Sequence, residues 1–439
     1  MSIRPAEYAS RRQHLMSQMA ANSIAILPAS PVCNRNNSVD YPYRPNSDFY
    51  YLSGFDEPEA VLVLIPGREH GEYILFCRER NPEKELWDGL RAGQEGAIRD
   101  FGADDAFPIG DIDEILPGLL EGRDRVYYSV GKNLTFDQQL MDWVNTIRSK
   151  ARLGASPPKE FVMLDHLLHD MRLYKSAAEV GQMQRACDIS SRAHVRAMQA
   201  VQPGMHEYQL EAELDYEFRR NGARFAAYSS IVAGGANACI LHYINNDAQL
   251  NDGDLVLIDA GCEVNCYASD ITRTFPVSGR FSPEQKALYE VVLAANLAAI
   301  ECVQPGRHWN EPHETSVRVI TEGLVRLGLL QGDVDELIAG DAYRPFYMHR
   351  AGHWLGLDVH DVGDYKVGGQ WRVLEPGMCL TIEPGIYVAK DNLAVDARWR
   401  GIGIRIEDNL VVTQTGHSIL TGGVPKAVDE IEALMSGTL

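Results

Sequence analysis

Nowhere do the 439 residues reach the roughly 18 consecutive apolar positions that a membrane-spanning helix needs. The opening stretch, MSIRPAEYASRRQHLMSQMA, also lacks an apolar segment of signal-peptide length, so the expectation is a cytoplasmic protein. Positive charge is in short supply: 41 Lys and Arg stand against 61 Asp and Glu, a formal charge of −20, which argues against nucleic acid or an anionic membrane surface as the main partner. Cysteine is sparse and scattered. Most of the eight sit in apolar surroundings, as reduced core thiols do, and Cys262 and Cys266 lack the second pair that would give a zinc or disulfide reading weight. What the chain does have is apolar content, 45%, ample for the cores of two or three domains.

Up to about residue 150, short apolar strands (SIAILPAS, AVLVLIPG, EYILFCRER, RVYYSV) alternate with helical stretches, the pattern of a self-contained α/β domain. The segment SKARLGASPPKEF breaks that pattern and reads as a linker, followed by one connecting helix before Lys175. The expected division is 1–172 and 173–439. In the second part the chain repeats itself. Ser176-Ala-Ala-Glu179 and Ser282-Pro-Glu-Gln285 both have the form of a capping box, each opens a long helical pattern, and each of those helices ends in VQPG. A second helix and strands rich in Gly and His follow each VQPG. A duplicated helix–helix–strands unit predicts an α+β domain with pseudo-twofold halves and a site drawing residues from both.

Chemistry is densest in the stretch LVLIDAGCEVNCYASDITRTFP, which starts at Leu255. Val256 to Ile258 and Tyr267 to Phe275 read as the two arms of a β-hairpin with a turn over Glu263 to Cys266. A turn centred between Val264 and Asn265 sets Asp259 directly across from Asp270, about 4.5–5.5 Å away at Cβ. Two buried like charges then require a shared proton or a cation. A one-residue slip would instead point the two to opposite faces.

The second half adds MHRAGHWLGLDVHDVG, with His349, His353 and His360, then LTIEPGIYV, where Glu383 ends an apolar strand, and GIGIRIEDNLVVT, where Arg405 and Glu407 share one strand face. His349 and His353 are spaced like helix ligands, but Gly352 and Gly356 disfavour a helix, so a loop and strand are expected. Singly, each of these residues has an ordinary structural explanation. Together, Asp259, Asp270, Glu383, Glu407 and His353 supply four negative charges and one neutral nitrogen, enough to hold two divalent ions close together and make a hydrolytic nucleophile of a shared water. Carboxylate-dominated donors favour manganese-like hard ions, with cobalt, iron and zinc as competitors.

The set DAGxxxxxYxxDxTRTF, HWLGLDVHD, TIEPGIY and GIGIRIED resembles the metal-binding signature of the creatinase/methionine aminopeptidase, or pita-bread, superfamily, and specifically its proline peptidases. The N-terminal DYPYRPNSDFYYLSGFDEPEAVLVL resembles the amino-terminal domain of bacterial aminopeptidase P. Carried over residue by residue, the resemblance implies Asp259, Asp270, His353, Glu383 and Glu407 as ligands of two ions, Mn2+ foremost. It implies His242 and His360 at the scissile carbonyl and in proton traffic, Glu383 also as proton acceptor, His349 as a further site histidine, and Arg405 orienting the carboxylates. One departure stands out: where the family has glycine after the equivalent of His349, this chain has Arg350. The expected activity is release of the N-terminal residue from peptides with proline second, by a homo-oligomer (dimer or tetramer) in which Trp87 reaches a neighbouring site or simply packs. The rivals are an Xaa-Pro dipeptidase, with the same ligands, a metal-free creatinase-like hydrolase, and a non-enzymatic pita-bread module; the complete ligand set disfavours the last two.

Overall fold

The computed structural model describes residues 3–437, which fold as two compact units, Ile3–Arg172 and Leu173 onward. The first is built on a six-stranded mixed sheet in the order Asp105–Pro108, Tyr73–Cys77, Val61–Leu64, Ser23–Pro28, Arg125–Tyr127, Glu160–Val162. Its three central strands are antiparallel and the flanking pairs parallel. The central strands Val61–Leu64 and Tyr73–Cys77 are buried at every position, as unbroken apolar runs covered on both faces should be. The stretch expected to be a linker is part of this unit. Glu160–Val162 pairs in parallel with Arg125–Tyr127 as the edge strand. The two prolines, Pro157 and Pro158, lie just ahead of it, where no ladder donor is needed.

The second unit carries the duplication. Ser176 and Ser282 each complete a reciprocal capping box, with Glu179 and Gln285, at the heads of helices Ala177–Ala200 and Pro283–Glu301. Each VQPG turn ends in a glycine with positive φ, Gly204 at 92° and Gly306 at 88°. In each, the glycine N–H donates to a later leucine carbonyl, Leu250 at 2.8 Å and Leu374 at 2.9 Å. His206 and His308 then form matching isolated bridges to Gln249 and Val373. Helices Glu207–Arg220 and Glu311–Arg326 follow. One apolar core runs through both halves, with Ile258 and Phe275 from the first and Ile386, Ile404 and Ile406 from the second.

The hairpin differs from its sequence reading in register. Asn265 and Cys266 sit at φ 49° and 66°, so they form a two-residue turn of the primed type favoured between twisted strands, with Val264 facing Tyr267. Every pair is therefore displaced by two positions from the expected one, and Asp259 faces Thr272. Because side chains alternate with period two, this slip leaves Asp259 and Asp270 on the same face as diagonal neighbours. The second arm is also broken: Tyr267–Ala268 and Thr272–Pro276 are separate strands, and Asp270 lies in the gap.

Candidate metal centre

Four carboxylates converge on a cavity of about 900 Å³ in the second unit, and each stands at the end of, or in a break between, strands. Asp259 closes Leu255–Asp259, and Glu383 follows Cys379–Ile382. Glu407 falls between Ile402–Arg405 and Asp408–Val412, so the strand expected to carry both Arg405 and Glu407 stops at Arg405. The alternation nonetheless holds, with Ile404 and Ile406 in the core and Arg405 and Glu407 lining the cavity.

Backbone groups at these breaks have lost sheet partners, and two buried asparagines replace them. Asn296, on helix Pro283–Glu301, donates to the carbonyls of Ile382 (3.1 Å) and Ile406 (3.2 Å), the residues just before Glu383 and Glu407. Asn409 accepts from the Asp270 N–H at 2.8 Å and donates to the Asp270 carbonyl. Two glycines let the segments close up. A Cβ on Gly261 would stand 1.8 Å from the Ser269 carbonyl oxygen, and one on Gly352 would stand 2.0 Å from that of Thr381.

The Tyr228 hydroxyl lies 2.6 Å from Asp259 Oδ1 and 2.5 Å from Asp270 Oδ1. Having one proton, it can satisfy only one of them. Arg405 donates to Asp259 Oδ2 at 2.6 Å and to the Tyr387 hydroxyl at 3.0 Å. Thr272 donates to Glu407 Oε2 at 2.7 Å. Ligand atoms of Asp270, His353 and Glu407 all lie within 4.8 Å of one another. His353 hydrogen-bonds the Trp354 carbonyl through Nδ1 at 2.9 Å, which fixes the proton there. Its Nε2 is left facing Asp270 Oδ2 at 3.3 Å and Glu383 Oε1 at 3.7 Å. That is the tautomer a ligand histidine requires.

The charges are out of balance. Burial pushes the Glu383 carboxyl up to about 7, Asp270 and Asp259 adding to the effect against His353 and Arg405. Glu407 is raised further, by burial and then by its carboxylate neighbours. Asp259 is raised too, by burial against Arg405. Asp270 alone goes down: burial pushes it up most strongly, but hydrogen bonding and charge from His353, with hydrogen bonds from Tyr228 and Asp259, together outweigh it. That pairing in turn lifts His353 to about 9 despite burial. Four carboxylates meeting one guanidinium in one cavity, with oxygen donors and one oriented imidazole, fit divalent metal.

Three further histidines line the same cavity. His349 and His353 both sit on loop, not one on a strand. His349 hydrogen-bonds the Arg350 carbonyl through Nδ1 and accepts from Tyr387 at Nε2, both at 2.8 Å, and burial holds it neutral with its value lowered to about 3. His360 rests edge-on against the His353 ring, centroids 4.3 Å apart, and is exposed to the cavity, as is His242. Tyr228, Tyr387, Thr272, Asn296 and Asn409 were not singled out from the sequence. Each acts through a tertiary contact that no local pattern signals. Trp87 is 85% exposed on helix Pro82–Asp88, beside Leu86 and Leu90, which are also exposed.

The profile of metallopeptidase family M24 matches residues 181–414, and that of the aminopeptidase P N-terminal domain matches residues 8–127. The chain is 47% identical to the Xaa-Pro aminopeptidase of Escherichia coli (strain K12) over 98% of its own length and 97% of the relative's. Among solved structures, the aminopeptidase PepP of Pseudomonas aeruginosa matches with a TM-score of 0.99 at 70% identity, covering 99% of both chains. A zinc-substituted E. coli aminopeptidase P in complex with product matches at 0.97 and 46% identity over 100% of both.

Proposed function

The chain belongs to metallopeptidase family M24, and from that membership and the cavity's chemistry we propose a metal-dependent Xaa-Pro aminopeptidase, releasing the N-terminal residue from peptides with proline second. The observation that carries this reading is the set of four carboxylates, two buried and two half-buried, left with an excess of negative charge around one oriented histidine. Asp259, Asp270, His353, Glu383 and Glu407 hold two divalent ions, Mn2+ by the hardness of the donors. When bound, the ions supply Lewis-acid activation of water and of the scissile carbonyl.

The chain's own groups do the rest. Glu383 takes the proton of the attacking water and returns it to the proline nitrogen as the C–N bond breaks. His242 and His360, exposed on the cavity wall, hydrogen-bond the carbonyl oxygen as negative charge builds on it and steer protons across the site. His349, locked neutral between Tyr387 and the Arg350 carbonyl, presents a fixed ring to the substrate. Arg405 orients Asp259 and, through Tyr387, His349. The exposed Leu86, Trp87 and Leu90 support a homo-oligomer, dimer or tetramer. No helix among the described residues is long and apolar enough to cross a membrane, and the proposed setting is cytoplasmic.

Substrate length separates this enzyme from an Xaa-Pro dipeptidase. Xaa-Pro-Yaa tripeptides and longer peptides should give higher kcat/KM than Xaa-Pro dipeptides, and alanine in place of the second-position proline should cost most of the activity, because the ring fixes φ in the bound peptide. Turnover confined to dipeptides would make the chain a dipeptidase instead.

A further inference from the structure

Nothing in the hydrolytic chemistry uses the Arg350 side chain; only its carbonyl serves, by holding His349. Its guanidinium carbon lies 4.8 Å from the centroid of the Trp371 ring, and the Lys366 ammonium lies 4.3 Å from the same centroid. Lys366 and Trp371 are paired across a short ribbon, Lys366–Val367 with Gln370–Trp371, closed by Gly368 and Gly369 at φ 58° and 80°. The base of the ribbon is firm. The Arg372 N–H donates to the Tyr365 carbonyl and the Trp309 N–H to the Arg372 carbonyl, both at 2.9 Å, and the Trp309 ring packs on Trp354 and Tyr365. Arg350, Lys366 and Trp371 line the same cavity as the four carboxylates. The hydrogen-bond partner of Arg350 is a neutral amide, Asn310, and among the described residues neither cation forms an ion pair.

Two cations over one aromatic ring, joined in no ion pair although Glu314 acts on Arg350 from beyond Asn310 and Asp364 lines the same cavity, can take an anion between them. The amino group of a peptide's first residue is itself a cation, repelled by Arg350 and Lys366 and drawn to the carboxylates, which sets the pair apart from the amino-terminal end of the substrate. We propose that Arg350 and Lys366, held over Trp371, recognise a carboxylate on the leaving side of the substrate: the C-terminus of a tripeptide, or an acidic side chain after proline in a longer one. This rests on the aminopeptidase reading and adds a specificity to it.

Both cations are exposed, so the effect is that of accessible ion pairs, about three- to tenfold in kcat/KM, carried mainly by KM. It should shrink as salt rises from about 0.01 to 1 M and the screening length falls from about 30 to 3 Å. The test compares four peptides: Ala-Pro-Gln-amide, Ala-Pro-Gln with a free carboxylate, Ala-Pro-Glu-amide and Ala-Pro-Lys-amide. The enzyme should prefer one or both carboxylate peptides to the neutral amide and disfavour the lysine peptide. Preference for the free acid alone names the C-terminus as the anion, and preference for the glutamate amide alone names the side chain. In Arg350→Gln/Lys366→Gln the carboxylate-to-neutral ratio should fall to about one, while Arg350→Lys keeps most of it. Should the double variant fail to fold, Lys366→Gln alone and the salt series on the unaltered enzyme decide the matter in the same way. Equal kcat/KM for carboxylate and neutral peptides, or a preference surviving in the double variant, overturns the proposal. If no peptide is cleaved, the aminopeptidase reading falls, and calorimetric binding of Pro-Glu-amide against Pro-Gln-amide then decides the recognition by itself.

Discussion

Asp48, Asp165 and His169 in the N-terminal unit present ligand atoms as closely grouped as those of Asp270, His353 and Glu407 in the second, all within 4.8 Å of one another. The surroundings of the two groups differ. Arg172 lies 2.7 Å from Asp48 Oδ1, and Lys132 lies 2.6 Å from Asp165 and 3.4 Å from Asp48. Two fixed cations thus answer two carboxylates. Although burial alone would raise it, the Asp48 carboxyl is held well below its ordinary range by His169 and Arg172. In the second unit four carboxylates share Arg405, and three of them are raised. A metal-shaped set of donors is therefore a metal site only where the chain has not already supplied the positive charge, and the carboxyl shifts report which case applies.

The comparison breaks most visibly on metal. Exhaustive chelation should abolish peptidase activity, with manganese restoring it best. Asp270→Asn should lose metal along with rate, since an amide cannot bridge two cations as a carboxylate does, whereas Asp165→Asn should keep both. Elemental analysis finding two tightly held ions in Asp270→Asn would rule out its ligand role. The N-terminal group should respond in stability instead. Arg172→Met takes from the buried Asp48 carboxylate its nearest cation, leaving His169 and Lys132 at 3.4 Å, and should destabilise that unit by about 1–3 kcal/mol in urea titrations, with metal content unchanged. Because the folded Asp48 carboxyl is depressed, its contribution is fully present above its unfolded value near pH 4 and lost as pH falls through the lower folded value, so the difference between Arg172→Met and the parent should narrow below about pH 4. A gap that stays constant into acid would show that Asp48 is not the group responsible. The smallest effect belongs to the two exposed cavity histidines. His242→Ala and His360→Ala should keep both ions yet lose about tenfold to a thousandfold in kcat/KM, and near-normal kinetics in both would take them out of the mechanism.

Much of this site was legible in the sequence because its carboxylates interrupt apolar strand patterns, a costly placement that needs a reason. The duplicated capping boxes were legible for the same kind of local cause: Ser with Glu or Gln three residues on acts within a single helical turn. The hairpin register was not, since it hangs on whether Asn265 and Cys266 take up left-handed φ, a choice the neighbouring letters leave open. The site face came out right because the error was an even number of residues. Glu160–Val162 passed for linker because a three-residue edge strand behind two prolines has no periodicity to read. Asn296 and Asn409 gave no signal at all. Their work is to satisfy backbone groups more than eighty residues away in the chain, which only the folded molecule brings within reach.

The twin turns at Gly204 and Gly306 mark the two halves between which the site is divided. Asp259 and Asp270 precede the second capping box at Ser282, and His353, Glu383 and Glu407 follow it, so neither copy of the repeat holds the whole of the proposed ligand set. A chain one repeat long could assemble such a site only between two copies. With both halves in one chain their meeting is intramolecular, at an effective concentration on the order of millimolar, independent of how much protein is present. It also leaves the halves free to differ. One now gives two aspartates and the other a histidine and two glutamates, while the turns beneath them, which only had to hold the scaffold, still spell the same four letters.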